Sequence, residues 1–222
     1  MVAEIKVIKA DNPSSVILQK AARLIVKSKV IVCPTDTGYA FAANALDTRA
    51  VAKVFELKGR TYSNPIHVAV DSVEMAVKYA HLSEAAEYLA RHFLPGALTM
   101  VLPKKEIIPP LLVAGGDTIG IRIPDNRVIL ALTTMTALPL TATSANISGQ
   151  PTPYTAQEVL EQMGEKIEGV ALVLDQGPLP ERELSTIVDL TVSPPQLLRQ
   201  GRVSWLEIRQ VLQSLPGSHC DK

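Results

Sequence analysis

Apolar and polar positions along the chain fall into two kinds of run, one with a period of two and one with a helical period. Residues 4–9 alternate, with Ile5 and Val7 on one side, as a short strand does. Asp11, Pro13 and Ser14 supply a helix start, and Ile17, Ala21, Leu24 and Ile25 recur at helical spacing across 16–27. The β-branched run 29–33 reads as a buried strand that stops at Pro34. A helix follows, capped by Asp47, with Val51, Val54, Phe55 and Leu57 on one face and Gly59 as its stop. Residues 65–70 form the next predicted strand, then two short helices at 73–79 and 83–93 and a turn at Leu94-Pro95-Gly96. Strands are predicted at 98–102, 118–123, 138–143, 170–174, 185–190 and 196–199, and helices at 127–136, 155–163 and 204–213. Residues 103–117, rich in Pro and Gly, read as an excursion over the surface.

Helices and strands interleave without strict alternation, so the expected fold is α/β, with a twisted, mixed open sheet and helices around it. Nothing resembling a linker divides the chain. Residues 1–205 are expected to form one domain, with 206–222 the end of the last helix and a polar tail. The 22 basic residues match the 22 acidic ones, which speaks against a free-standing nucleic-acid binder but not against a locally basic hollow. Cys33 and Cys220, far apart, suggest no disulfide framework, and a reducing, cytoplasmic setting is expected. No apolar run approaches the roughly 18 residues of a membrane helix, and no membrane partner is expected.

The common phosphate loops and the G-x-S-x-G elbow are absent. His67, His81, His92 and His219 have no metal-ligand spacing, so no metal site is expected on the protein itself. Four polar sets stand out instead. Lys58 and Arg60 flank Gly59, where an extended chain would turn both cations toward one anion, and Ser63 and Asn64 follow. Arg122 sits inside the alternating run TIGIRI, where an arginine must meet either an internal carboxylate or an anionic ligand. The loop Thr143-Ser144-Ala145-Asn146-Ile147-Ser148-Gly149 ends a hydrophobic strand, the place where open α/β sheets bind ligands. Ser185, Thr186, Arg199 and Arg202 make the fourth set.

These sets lie within Pro34-Thr35-Asp36-Thr37-Gly38-Tyr39, Lys58-Gly59-Arg60 with Ser63-Asn64-Pro65, and Pro95-Gly96-Ala97-Leu98-Thr99. They continue in Ile119-Gly120-Ile121-Arg122-Ile123-Pro124, Thr143 to Gly149, and Ser185-Thr186-Ile187-Val188-Asp189 with Leu198-Arg199-Gln200-Gly201. In this order the pieces resemble the YrdC-like family, the threonylcarbamoyl-AMP synthases. No piece alone is specific; the combination is. The resemblance implies a single α/β domain around a basic concave surface. It implies a nucleotidyltransferase joining L-threonine, bicarbonate and ATP into threonylcarbamoyl-adenylate and pyrophosphate. The product would pass to a separate threonylcarbamoyl transferase acting on tRNA.

On that pattern Thr35, Lys58, Arg60, Arg122, Thr143 and Ser185 surround threonine and the reacting carbamate, with Lys58 and Arg60 as the catalytic cations. Ser144, Asn146, Ser148 and Arg199 lie on the nucleotide, whose phosphates magnesium bridges. Two positions depart from the pattern: Thr61 replaces a usual proline, and His67 comes earlier than the family's histidine. The alternatives are a paralogue with an altered substrate and a non-catalytic RNA-binding module. Against the latter, 4% aromatics leave little on which to stack bases.

Overall fold

The computed structural model describes residues 3–181 and 183–215. The elements run β1 (Glu4–Val7), α1 (Ser15–Val26), β2 (Ile31–Thr35), β3 (Gly38–Ala42), α2 (Thr48–Lys58), β4 (Val68–Ala69) and α3 (Val73–Ala76). They continue α4 (Glu84–Phe93), β5 (Leu98–Pro103), β6 (Thr118–Arg122), α5 (Arg127–Thr136), β7 (Leu140–Thr141) and β8 (Thr143–Ser144). The last are α6 (Ala156–Met163), β9 (Leu172–Asp175), β10 (Thr186–Asp189), β11 (Gln196–Arg199) and α7 (Trp205–Gln213). The mixed α/β architecture is the one the pattern predicts. Its strands divide between two hydrogen-bonded sheets, ordered β1-β9-β2-β3-β8 and β11-β10-β5-β6-β4-β7, each with parallel and antiparallel neighbours.

Period-two alternation assigns each strand residue to a core. In β2, Ile31 and Cys33 face α1 and α5, packing with Leu18, Ile25, Val128 and Leu132. Val30 and Val32 face the other way, into the larger core with Phe41, Val54, Phe55, Leu98 and Met100. Burying a side chain of this size stabilises by roughly 1.5–3 kcal/mol, so a register slip in β2 would be costly.

Four sequence expectations are corrected. The strand predicted to stop at Pro34 continues to Thr35 and turns back at once as β3, a hairpin partner the sequence reading did not identify. Pro34, with no N–H to donate, is tolerated because β9 pairs only with Ile31 and Val32. The strand at 65–70 shrinks to Val68–Ala69. The excursion at 103–117 is partly core, since Ile108, Leu112 and Val113 are buried. The strand at 138–143 breaks in two: β7 pairs with β4 in one sheet, β8 with β3 in the other. Between them Ala142 N–H donates to His67 C=O at 2.8 Å. Thr141 Oγ1 donates to Phe41 C=O at 2.9 Å and accepts from Ala43 N–H at 3.0 Å, stitching the two sheets side by side.

Candidate active site

The hairpin β2–β3 forms one wall of a cavity of about 300 Å³. Thr35 Oγ1 donates to Gly38 C=O at 2.7 Å and accepts from Thr37 N–H at 3.2 Å, which sets the tight turn. Gly38 has φ +128°, and a Cβ there would lie 2.5 Å from Thr152 Cγ2, so the turn excludes any side chain. Thr35, Thr37, Tyr39 and Thr152 line this side.

Arg122, at the end of β6, is buried in the same wall. Its NH2 group donates to both oxygens of Asp36 at 2.8 Å and to Gly96 C=O at 3.1 Å, and NH1 donates to Thr37 Oγ1 at 2.9 Å. The internal carboxylate and the cavity, alternatives from sequence, are therefore both present. Arg122 Nε remains buried without a partner among the described residues. Burial lowers the guanidinium's pKa from its ordinary value, and the Asp36 charge opposes that shift.

Gly59, in the left-handed region at φ 57°, ends α2 and redirects the chain between the two cations. Arg60 enters the cavity wall, with NH2 donating to Pro65 C=O at 2.9 Å and with a buried Nε that has no partner among the described residues. Lys58 takes the other direction, contrary to the expectation that both cations face one anion. Its ammonium donates to Ser144 C=O and Asn146 Oδ1 at 2.6 Å and to Asn146 C=O at 3.2 Å, and it does not line the cavity. An ammonium has three protons and all three are taken. Burial, and then the charge of Arg60, push Lys58 down to about 7.

The loop beyond β8 is divided in the same way. Thr143 and Ser144 line the cavity, whereas Asn146 is buried behind it, accepting from Lys58 and from Ser144 Oγ at 2.7 Å. Ser148 is exposed and outside the wall; its N–H donates to Lys58 C=O at 2.8 Å. On the opposite side, β5, β10 and β11 bring together Thr99, Ser185 and Arg199. Arg199 Nε and NH2 donate to Ser185 C=O at 3.1 and 2.8 Å, and NH2 also reaches Ser185 Oγ at 3.1 Å. Arg202 faces a neighbouring hollow with Asp36, Asp125 and Glu207 instead.

Seven of the ten residues expected from sequence thus meet in one cavity: Thr35, Arg60, Arg122, Thr143, Ser144, Ser185 and Arg199. Lys58 and Asn146 support its wall from behind, and Ser148 stands apart. Sequence reasoning passed over His67, Thr37, Thr99 and Thr152 as wall residues. A visible signal existed for Thr99, a lone hydroxyl in an apolar strand. His67 stood out only as a departure from the family pattern, because its place depends on Gly120: a Cβ at Gly120 would lie 2.5 Å from the imidazole Cδ2. Burial and the charges of Arg199, Arg60 and Arg122 push His67 down to about 4, so the ring is neutral near pH 7. The cavity therefore presents three guanidiniums, one neutral imidazole and several hydroxyls, a donor-rich lining suited to carboxylate and phosphate oxygens.

A family model named for Sua5, YciO and YrdC and described as telomere recombination matches residues 23–201. The threonylcarbamoyl-AMP synthase of Pyrococcus abyssi is 42% identical over 193 residues, covering 86% of this chain and 56% of that protein. The Bacillus subtilis protein of the same name is 36% identical, covering 92% of this chain and 58% of its own length. The chain thus spans a little over half the length of these relatives. Among solved structures, P. abyssi Sua5 complexed with L-threonine superposes with a TM-score of 0.89 at 37% identity, over 95% of this chain and 61% of that one.

Proposed function

The chain belongs to the Sua5, YciO and YrdC family, and from that premise we propose that it makes L-threonylcarbamoyladenylate from L-threonine, bicarbonate and ATP, with residues 1–205 as the catalytic domain. One observation carries the reading. Arg60 Nε and Arg122 Nε, both on residues lining one cavity, are buried donors without a partner among the described residues. Such groups are costly to leave unmade and are satisfied when an oxyanion enters.

In the proposed reaction the threonine amine and bicarbonate give a carbamate and water. A carbamate oxygen then attacks the α-phosphorus of ATP, and the bond from that phosphorus to the bridging oxygen breaks, releasing pyrophosphate. Reactions of this kind need alignment and charge neutralisation more than a covalent nucleophile. Arg122 receives the amino acid's carboxylate through Nε, while Asp36 and Gly96 C=O hold NH2 and Thr37 holds NH1. Arg60 faces the carbamate and phosphate oxygens. Thr35, Thr143 and Ser185 complete the threonine side, and Ser144 and Arg199 face the nucleotide. Lys58 and Asn146 act on the nucleotide through the loop they brace. Among the described residues no group of three His, Cys, Asp or Glu side chains is placed to hold a metal ion. Magnesium fits best as the counter-ion of ATP, part of the substrate and not held in a protein cage.

The product serves threonylcarbamoylation of tRNA through a separate transferase, a reaction of the cytoplasm; among the described residues no helix is long and apolar enough to cross a membrane. The test is incubation with ATP, bicarbonate and each amino acid in turn. Pyrophosphate release with L-threonine, and mass detection of the mixed anhydride, are the expected results. Turnover that ignores bicarbonate, or that prefers another amino acid, would refute the assignment. A tRNA affinity that falls steeply with salt in a protein releasing no pyrophosphate would favour the RNA-binding alternative.

A further inference from the structure

Thr99 has 0% exposure, and among the described residues its hydroxyl meets a single partner, Ser185 Oγ at 2.8 Å. Although Thr99 stands in the cavity wall, none of its surface is exposed to solvent, and a hydroxyl so placed gives its proton to whatever acceptor it has. Thr99 is therefore the donor in this pair and Ser185 the acceptor. A serine oxygen has two acceptor sites and one proton. Thr99 fills one site and Arg199 NH2, at 3.1 Å, fills the other. Ser185's own proton then has no acceptor left on the protein among the described residues, and Ser185 borders the cavity.

We propose that Thr99 is a positioning residue that fixes the polarity of Ser185, so that the serine enters the cavity only as a hydrogen-bond donor. The group seated against it is then an oxygen that accepts, from a carboxylate or a carbamate, and never an ammonium. Together with the Nε–H groups of Arg60 and Arg122, which have no partner among the described residues, this gives the cavity a third donor for the same class of atom. Identifying that oxygen as threonine's rests on the function proposed above; the polarity does not.

Two measurements separate these claims. A neutron structure of the deuterium-exchanged protein locates the Ser185 deuteron directly. Density on the cavity side supports the assignment, and density toward Thr99 Oγ1 overturns it, whatever the substrate proves to be. In solution, Thr99→Val should raise the KM for L-threonine in pyrophosphate release about fivefold to tenfold, the size expected for one hydrogen bond. The effect on kcat should be much smaller, and Thr99→Ser should restore wild-type behaviour. In a Ser185→Ala background Thr99→Val should add nothing, because the two act as one unit. An equal penalty in both backgrounds would mean that Thr99 acts through packing, against the proposal. A wild-type protein that releases no pyrophosphate with L-threonine would refute the function instead, and the neutron result would still decide the polarity.

Discussion

At the scale of single residues, the two arginines whose Nε groups have no partner among the described residues differ in how they are held, and so in what their loss should do. Arg122 is tied to a buried carboxylate, its side chain 6% and that of Asp36 4% exposed. Arg122→Ala should raise the threonine requirement by about 100-fold or more, with the ATP requirement changed far less. It should also lower the melting temperature, since stranding one partner of a buried pair costs about 3–5 kcal/mol. Threonine binding by calorimetry on the folded variant checks the first claim, and equal losses for both substrates would contradict it. Lys58 offers a different readout. Burial and the Arg60 charge push its pKa down to about 7, and a polyanion arriving nearby favours the charged form and raises it. At pH 8 ATP binding should therefore take up protons, seen as a binding enthalpy that depends on the buffer's heat of ionisation. Lys58→Met should abolish the uptake, and proton-neutral binding by the wild-type protein would contradict the prediction.

At the scale of elements, β6 supplies both an anion anchor and the space for its neighbour. Gly120 leaves room for the His67 ring, two residues before Arg122 on the same strand. Gly120→Ala should displace that ring and weaken threonine binding, with the melting temperature nearly kept because the ring borders a cavity that can receive it. A crystal structure of the variant with His67 unmoved would refute the prediction. The same strand shows what could be read from sequence. The alternation of TIGIRI announced β6, and a cation amid apolar neighbours announced a site; Asp47 and Gly59 announced both ends of α2. The hairpin could not be read, because Pro34 is a strand breaker by itself and is accommodated only through β9, far along the chain. Nor could the parting of Lys58 from Arg60, since two-residue spacing points both the same way only in extended chain, and Gly59 adopts a left-handed turn. Local pattern marked which residues matter, and non-local pairing decided which way each one points.

At the scale of the whole molecule, the cavity borrows walls from both sheets. Thr35, Tyr39 and Ser144 come from one; Thr99, Arg122 and Arg199 come from the other. Thr141 fastens the sheets through two buried backbone groups. Thr141→Val keeps the shape but removes both hydrogen bonds, and should cost about 1–3 kcal/mol for each buried group left unpaired. Chemical denaturation should show this as a lower midpoint with a single transition; an unchanged midpoint would mean that the stitch contributes little. The three guanidiniums around the hollow have a consequence for anyone handling the protein. Like charges confined to one small space repel one another when only water separates them, and burial already lowers the pKa of each from its ordinary value. Sulfate or inorganic phosphate in a storage buffer would quiet that repulsion, toughening the resting protein against heat while blocking the berth its nucleotide needs. Preparations kept in such salts should look sturdy and slow, and the same material moved into chloride should look frail and quick.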